Sequence, residues 1–339
     1  MSEVPVPEPS LGAIPVLGSL QALREWRAAA FDARQSVGFV PTMGALHNGH
    51  LSLVRRSLQE NDLTIVSIFV NPAQFAPHED LATYPRTLPS DLASLSTVVE
   101  TVAGGEDQAP AVRTPSAVFV PSVKDMYPSG IVQNIEEQKG TFIEVKGFSH
   151  QMEGKSRPTF FRGVATVVTK LFNAVQPTSA YFGQKDIQQA CLLRRMVRDL
   201  LMAHPSPENL HIVPTHRHED GLAMSSRNAY LTPPERAVAI TLYNALQEAR
   251  HAWDDGCTRS EAVVRANALV SGAISASSAA GIAMRLDYIE MNDPETFEVL
   301  PDEARKSEGK PVILSGALWV GKTRLIDNIL LGDYSRILV

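Results

Sequence analysis

VGFVPTMGALHNGH, residues 37–50, begins as a run of apolar and β-branched residues and ends in two histidines three positions apart. The run Val37–Thr42 is typical of a strand that is buried on both faces of a parallel sheet. A helix that follows such a strand points its free N–H groups and its partial positive charge at the carboxyl edge of the sheet. Gly44 and Gly49 would let the backbone approach a ligand closely. The stretch therefore predicts a ligand site directly after the strand.

The two histidines, His47 and His50, lie on one side of the first turn of that helix. Their ring N–H groups could donate to phosphate oxygens, the pair could hold a metal ion, or a ring could cap the helix. No acidic or cysteine side chain stands close by in the sequence to complete a metal site. The stretch favours a nucleotide phosphate but leaves the other two interpretations open.

The first half of the chain alternates short β-branched runs with stretches of helical periodicity. This alternation predicts an α/β fold with a doubly wound (Rossmann-like) parallel sheet, whose ligands bind at the carboxyl ends of the strands. The predicted strands are Val37–Thr42, Thr64–Asn71, Ala117–Pro121, Ala180–Gly183 and Leu210–Thr215. The predicted helices are Gly49–Asn61, Val164–Val175 and Ile187–Met202.

The pattern changes after Thr215, where capped helices begin near Thr232 and Ser260 and strands follow around Met284–Met291 and Pro311–Leu318. These elements predict a second, smaller α+β domain. The predicted organisation is a disordered extension over residues 1–20, a Rossmann-like nucleotide domain over 21–213 and the smaller domain over 214–339. Residues 100–115 are small, polar and rich in Pro and Gly, which predicts a mobile surface insertion in the first domain.

GALWVGKT, residues 316–323, matches the phosphate-loop pattern G-x-x-x-x-G-K-[ST]. A phosphate loop opens a domain, whereas little of this sequence follows residue 323, and its bulky Leu-Trp-Val does not suit a loop whose N–H groups converge on an anion. We therefore expect a β-hairpin with Gly321 at its turn.

Composition excludes several classes of function. The net charge of −6 and the pI near 5.9 disfavour nucleic acid as a partner and favour a small-molecule substrate. No apolar run approaches the roughly 20 residues that a membrane span needs, and the first residues have no signal-peptide pattern. Cys191 and Cys257 show no zinc-like spacing. We expect a soluble cytoplasmic enzyme with reduced thiols and no membrane partner.

Seven ordered motifs between Gly38 and Asn328 resemble the pantothenate synthetase family, a branch of the HxGH nucleotidyltransferase superfamily. They are PTMGALHNGH (41–50), SIFVNPAQF (67–75), YPRT (84–87), RPTFFRGVATVVTKLFN (157–173), YFGQKDIQQ (181–189), DGLAMSSRNAYL (220–231) and GKTRLIDN (321–328). The resemblance implies a homodimeric ligase that uses ATP and Mg²⁺ to join pantoate to β-alanine through a pantoyl adenylate, releasing pyrophosphate and then AMP.

The resemblance also implies roles for individual residues. Those expected to stabilise phosphate charge are His47, His50, Lys185, Ser225, Ser226 and Arg227. Besides His50, Lys185, Ser225, Ser226 and Arg227, the residues expected to contact ATP are Pro41, Thr42, Met43, Gly49, Gly183, Asp186 and Met224. Gln74, Gln189 and Asn71 match positions that contact pantoate or β-alanine, and Asp91 matches an acidic magnesium ligand.

Four residues depart from the family pattern: Phe160 replaces a histidine, Gln184 a glutamate, Ile187 an aromatic residue and Ser90 an acidic residue. These departures leave room for a catalytically idle nucleotide-binding regulator. The shared HxGH motif also leaves room for a related adenylyltransferase, although such enzymes lack the NPxQF and DGLAMSSRN context. A tRNA synthetase is disfavoured by the acidic balance.

Overall fold

The computed structural model describes residues 13–76, 79, 81–104 and 109–338. In chain order its strands are β1 (Val16–Leu17), β2 (Val37–Thr42), β3 (Leu63–Ile68), β4 (Glu100–Val102), β5 (Ala111–Arg113), β6 (Ala117–Phe119), β7 (Ser179–Gly183), β8 (Leu210–Val213), β9 (Met284–Asn292), β10 (Val312–Val320) and β11 (Thr323–Leu331). Its α-helices are α1 (Leu20–Asp32), α2 (Asn48–Glu60), α3 (Leu88–Ser96), α4 (Val123–Met126), α5 (Glu153–Ser156), α6 (Phe160–Val175), α7 (Ile187–Asp199), α8 (Pro233–Val238), α9 (Thr241–Asp254) and α10 (Arg259–Ala279).

The larger sheet has six parallel strands in the order β1-β6-β3-β2-β7-β8. From β2 the chain first adds strands on one side (β3, then β6) and later on the other (β7, then β8). The strand order therefore reverses at β2, and doubly wound sheets bind ligands in the crevice at such a switch point. The predicted doubly wound α/β fold is confirmed, and the loop that carries His47 leaves the sheet at this crevice.

Helices cover both faces of this sheet. On one face α2 packs with Leu58 and Val54 against Val40 of β2, and on the other α6 packs with Phe172 against Phe39 of the same strand. Because all five side chains are almost fully buried, each removes its apolar surface from water, which is worth about 2 kcal/mol per large side chain. The strand that leads into the site is thus held rigidly from both sides.

The second sheet is antiparallel, in the order β11-β10-β9, and its core is shared with α9 and α10. Val320 pairs with Thr323 across a two-residue turn in which Gly321 has a φ of +56°, a conformation that suits glycine. The phosphate-loop pattern is therefore a β-hairpin, as predicted, and the smaller domain combines helices and strands as expected.

The structure corrects the predicted start of the ordered chain. Val16–Leu17 pairs in parallel with β6, and α1 begins at Leu20 with Ser19 as its cap, so the prediction of a disordered extension over 1–20 is wrong from residue 16 onward. Residues 1–12 lie outside the described part. Strands β3 and β8 end at Ile68 and Val213, earlier than predicted, because the chain turns there into the loops of the crevice.

The predicted insertion, residues 100–115, contains the short antiparallel hairpin β4–β5, with Glu100 paired to Arg113. The tip of this hairpin, residues 105–108, lies outside the described residues, so its mobility stays a prediction.

The two sheets are connected by contacts beyond the polypeptide link. Phe297 and Ile337, from the C-terminal part, pack into the core of the first domain. The guanidinium of Arg324 on β11 pairs with Glu153 of α5 at 2.6 Å and with Asp287 of β9 at 2.7 Å. The boundary predicted after residue 213 falls directly at the end of β8 and stays a prediction. Within the described part of the chain, no helix has the length and apolar character of a membrane span.

Candidate active site

One large cavity, of about 1550 Å³, lies between the two domains at the carboxyl ends of β2 and β7. The predicted site residues that line it are Pro41, Thr42, Met43, His47, Gly49, His50, Gln74, Gly183, Lys185, Asp186, Gln189, Met224, Ser225, Ser226 and Arg227. Segments separated by up to about half of the sequence thus meet in one place. Asn71 and Asp91, which were also predicted to bind ligands, do not line this cavity.

The loop between β2 and α2 has an unusual backbone held by a buried carboxylate. Gly44 and Ala45 have φ angles of +84° and +51°. Asp91 Oδ2 accepts a hydrogen bond from the Ala45 N–H at 3.1 Å, and Asp91 Oδ1 accepts one from the Leu46 N–H at 2.8 Å. The Thr87 hydroxyl lies 3.2 Å from both carboxylate oxygens. Asp91 therefore anchors the loop that precedes His47.

This geometry gives Asp91 a structural role, and its role as a magnesium ligand stays a prediction. Its side chain is 1% exposed, and both oxygens already accept hydrogen bonds from the protein. Among the residues described, no group of three or more His, Cys, Asp or Glu side chains could hold a metal ion.

The two histidines form a reciprocal cap at the start of α2. The Gly49 N–H donates to His47 Nδ1 at 3.1 Å, and the His47 N–H is directed at His50 Nδ1 at 3.4 Å. Because each Nδ1 is an acceptor, each neutral ring carries its proton on Nε2. The helix-capping interpretation is correct, and it leaves both Nε2–H groups as donors at the cavity. A Cβ on residue 49 would lie 2.9 Å from the His47 ring, so Gly49 makes the cap possible.

Both imidazoles are neutral at physiological pH. Burial, reinforced by the neighbouring His50 and Lys185, lowers the pKa of His47 from 6.5 to about 3. Burial and Lys185 lower the pKa of His50 from 6.5 to about 4. Proton donors without a charge of their own suit a site that must bind anions without holding them too tightly.

Lys185 follows β7 and is positioned by the second domain. The side-chain NH₂ of Asn328, on β11, donates to the carbonyl oxygens of Gln184 at 2.8 Å and of Lys185 at 2.9 Å. The Gln184 amide in turn donates to Asn328 Oδ1 at 3.1 Å. A glutamate at 184 could not make this last bond while ionised, which gives the departure at this position a physical role. Sequence reasoning assigned no role to Asn328, although it ends the motif GKTRLIDN.

The segment that carries Ser225, Ser226 and Arg227 forms a tight hairpin and then a short 3₁₀ turn. The Met224 N–H donates to the His216 carbonyl at 3.0 Å, and the Arg227 N–H donates to Ser225 Oγ at 3.3 Å. The Ser226 hydroxyl lies 3.3 Å from that of Tyr84, which brings the YPRT motif to the same wall.

A buried ion pair ties this segment to β11. Arg217 donates to both carboxylate oxygens of Asp327, at 2.6 and 2.9 Å. Because Asp327 stands next to Asn328, neighbouring residues of one strand hold both the Lys185 loop and the serine segment. The hairpin of the second domain thus fixes two of the segments that line the cavity.

Gln74 also lines the cavity, as do Arg157 and Phe160. The Arg157 guanidinium donates to Glu79 and to the Gln74 carbonyl, the latter at 3.0 Å, and lies 3.9 Å from the centre of the Phe160 ring. The phenyl ring that replaces the family's histidine thus supports a cation that holds the backbone of Gln74. Ile187, another departure, is a core residue with 3% exposure.

Asn71 differs from its predicted role as a direct ligand. It is 1% exposed and does not line the cavity, and its side chain is hydrogen-bonded within the protein, to Gln74 and the Gly163 carbonyl among others. We therefore correct its assignment from a contact residue to a neighbour that supports Gln74.

The cavity thus combines the switch point of a parallel sheet, two histidine donors at a helix N-terminus, a lysine and a serine-arginine segment. This combination is typical of nucleotide-binding enzymes. Comparison with known proteins is consistent with this class and narrows it. The family model "Pantoate-beta-alanine ligase" matches residues 15–330. The chain belongs to the pantoate–β-alanine ligase family.

Individual relatives agree over nearly their full length. The pantothenate synthetase of Moorella thermoacetica is 45% identical over 317 residues, covering 93% of this chain and 98% of that protein. The crystal structure of the Thermus thermophilus pantothenate synthetase matches with a TM-score of 0.75 at 38% identity, covering 93% of this chain and 99% of that chain. A Francisella tularensis pantoate-beta-alanine ligase, complexed with beta-gamma ATP and β-alanine, matches with a TM-score of 0.67 at 32% identity, covering 94% and 98%.

The role of Asp91 can be separated from magnesium binding by the variant Asp91→Asn. The amide can no longer accept from Ala45 and Leu46 together, so we expect a loss of about 1–3 kcal/mol in unfolding free energy and lower activity at every Mg²⁺ concentration. Ser90→Ala, which changes the exposed neighbour, is the control. A rise in the Mg²⁺ concentration needed for half-maximal activity, at unchanged stability, would support Asp91 as a metal ligand.

The histidine cap predicts a specific protonation state. In the unliganded protein at pH 7, long-range ¹H–¹⁵N NMR should show His47 and His50 as neutral Nε2–H tautomers that remain unprotonated down to about pH 5. Because the unfolded chain takes up these protons near pH 6.5, the contribution of the pair to stability should be complete above that pH and decline as the pH falls towards 4. A ring that titrates near its ordinary pKa would contradict the cap.

Proposed function

We propose that this chain condenses pantoate with β-alanine to pantothenate, using ATP and passing through pantoyl adenylate. The observation that carries the proposal is the convergence on one cavity of two neutral imidazole N–H donors, one lysine and one serine-arginine segment with the amide side chains of Gln74 and Gln189. The first set suits phosphate oxygens and the second suits a small hydroxy acid. Family membership and the bound ligands of the Francisella relative support the same reaction.

In the first step a carboxylate oxygen of pantoate attacks the α-phosphorus of ATP, and the bond to the bridging oxygen of pyrophosphate breaks. Negative charge grows on the α-phosphate oxygens and on the leaving pyrophosphate. We assign His47 and His50 to donate through Nε2–H to these oxygens, and Lys185 to supply the fixed positive charge. Since the cap, Asp91 and Asn328 hold these groups before substrate arrives, little reorganisation is needed as the charge develops.

In the second step the amine of β-alanine attacks the acyl carbon of the adenylate, and AMP leaves with the oxygen that bridged carbon and phosphorus. An acyl adenylate is open to hydrolysis, so the site must exclude water until the amine arrives. The cavity walls come from both domains, and the Arg324–Glu153 pair links the second domain to α5 of the first. We assign Gln74 and Gln189 to bind pantoate. The remaining residues of the predicted set are assigned to bind the nucleotide: Pro41, Thr42, Met43, Gly49, Gly183, Asp186, Met224, Ser225, Ser226 and Arg227.

Magnesium would enter with the nucleotide. Among the predicted site residues that line the cavity, Asp186, beside Lys185, carries a carboxylate that would hold Mg²⁺ together with oxygens of the triphosphate. When bound, the ion would offset charge on the triphosphate that repels the incoming carboxylate.

We further propose a homodimer in the cytoplasm. The family resemblance supports the dimer, and the two unpaired cysteines, Cys191 and Cys257, are consistent with a reducing compartment. Light scattering of the purified chain at micromolar concentration distinguishes a dimer from a monomer.

The reaction is tested by exchange of labelled pyrophosphate into ATP in the presence of Mg²⁺ and pantoate, without β-alanine. Attack at the α-phosphorus makes pyrophosphate in a reversible step, so we expect pantoate-dependent exchange and, once β-alanine is added, release of AMP and amide in equal amounts. Lys185→Ala should lower the exchange rate by about 10²–10³-fold, as losing a transition-state donor does.

The matched control is Lys306→Ala, which removes a surface lysine paired with Asp254 and should leave exchange unchanged. ADP as the product, or bound ATP without exchange in a folded protein, would contradict the proposed function.

A further inference from the structure

We propose that Tyr127 is a positioning residue: acting through Asn71, it fixes the amide of Gln74 so that only its NH₂ group faces the cavity. This inference rests on the proposed function, because it assigns the chemistry of the subsite that binds the acid. Tyr127 itself lies outside that cavity and was not among the residues predicted to matter.

The orientation of the Asn71 amide is set by two backbone groups whose polarity cannot change. The Asn71 Nδ2 atom lies 3.2 Å from the carbonyl oxygen of Gly163, which can only accept a hydrogen bond. The Asn71 Oδ1 atom lies 3.3 Å from the N–H of Ala73, which can only donate. If the Asn71 amide were flipped, its NH₂ group would face the Ala73 N–H and its oxygen would face the Gly163 carbonyl oxygen, and both hydrogen bonds would be lost. The two backbone groups therefore determine which amide atom is nitrogen and which is oxygen.

That orientation determines the two neighbours of Asn71. The atom of Gln74 that lies 3.0 Å from Asn71 Nδ2 must be its oxygen, because the Nδ2 group is a donor. The hydroxyl of Tyr127, 2.6 Å from Asn71 Oδ1, must in turn be the donor of that bond. The chain of hydrogen bonds therefore has one direction, from Tyr127 to Asn71 to Gln74. What remains of the Gln74 amide for the cavity is its NH₂ group.

The surroundings of Tyr127 keep its hydroxyl a donor. Its side chain is 3% exposed, and burial raises its pKa well above the usual value. The ammonium of Lys170 lies 3.8 Å from the centre of the ring and donates to the Met126 carbonyl at 2.8 Å. The phenol is thus held by α4 and α6 and stays protonated across the physiological range.

Close approach of α6 to the turn that carries Gln74 makes the chain of bonds possible. A Cβ on Gly163 would lie only 2.0 Å from the carbonyl oxygen of Ala73, so no other residue fits without moving one of the two segments. With glycine, the helix carbonyl reaches Asn71. Gly163 belongs to the motif RPTFFRGVATVVTKLFN, where sequence reasoning gave it no role.

The chemical consequence is selectivity for acceptors. An inward NH₂ group can donate to a carboxylate, carbonyl or hydroxyl oxygen, but it opposes an amine or the NH₂ of an amide. A site built to make a specific hydrogen bond discriminates strongly against ligands that leave its buried group unpaired. The inward NH₂ group of Gln74 would therefore favour an oxygen of pantoate over the ammonium group of β-alanine.

A double-mutant cycle between Tyr127 and Gln74 tests this assignment. The KM values for pantoate and for ATP are measured by pyrophosphate exchange with the wild type, Tyr127→Phe, Gln74→Ala and the double variant. We expect Tyr127→Phe to raise the KM for pantoate about tenfold, the size of one lost buried hydrogen bond, and to leave that for ATP within about twofold. In the Gln74→Ala background the same change should have no further effect on the KM for pantoate, because the group it positions is gone.

Tyr181→Phe is the matched control. Tyr181 lines the cavity, but its hydroxyl bonds Asn61 at 2.7 Å and Glu60 at 2.8 Å at the far end of α2, so the loss of the hydroxyl should lower the melting temperature without raising the KM for pantoate. An unchanged KM in Tyr127→Phe, or an equal rise in both backgrounds, would overturn the positioning role while the wild type still exchanges. Absence of pantoate-dependent exchange in the wild type would instead overturn the proposed function.

A second pair of variants tests the polarity itself and does not depend on the folding of Tyr127→Phe. In Gln74→Glu the side chain keeps its shape, but a carboxylate oxygen, which accepts hydrogen bonds, replaces the NH₂ group at the cavity. In Gln74→Met the side chain keeps its length but has no polar group. We expect Gln74→Glu to raise the KM for pantoate more than Gln74→Met does. Pantoate binding by Gln74→Glu that equals the wild type would show that an inward NH₂ is not required.

Discussion

The reciprocal cap at the N-terminus of α2 is the interaction on which the site depends. A helix start leaves N–H groups unsatisfied, and here imidazole nitrogens accept from the Gly49 and His47 N–H groups. Each histidine has two ring nitrogens, so the same side chain can complete the helix with Nδ1 and present Nε2–H to a ligand. Structural and functional interpretations of the two histidines therefore do not compete, and mutation of either should affect both. Asp91 extends the same principle, since it holds the loop before the cap by its N–H groups.

Groups around this helix end are fixed by partners that lie outside the cavity. Asn328 holds the backbone at Lys185, Arg157 holds that at Gln74, and Asn71 sets the direction of the Gln74 amide. None of these contacts requires substrate. The account is thus one of preorganisation, in which hydrogen bonds made on folding place donors where negative charge will develop. It also explains why the second domain matters to the chemistry although its sheet carries none of the predicted phosphate ligands.

Sequence patterns predicted those features that depend on neighbours along the chain. The bounds of β2 follow from a continuous apolar run ended by the glycine-containing loop, and the hairpin at Gly321 follows from a glycine between two strands. The protein partners of Asp91 and Asn71 were not predicted, because a polar side chain shows its type in the sequence but not its partners. Asp91 meets Ala45 across 46 positions, and Tyr127 meets Asn71 across 56. Asn328 was missed for the same reason, since its partners lie 143 and 144 positions away.

The central claim is that the donors of His47, His50 and Lys185 surround the α-phosphate of ATP while a carboxylate oxygen of pantoate attacks it. Labelling that oxygen with ¹⁸O shows where it goes in the reaction. Pantoate carrying ¹⁸O in both carboxylate positions is incubated with ATP, Mg²⁺, β-alanine and the enzyme, and the products are analysed by mass spectrometry. The account predicts that AMP acquires one ¹⁸O, because the oxygen that bonds to phosphorus leaves with the nucleotide. Label in inorganic phosphate, or amide formed alongside unlabelled AMP, would contradict it.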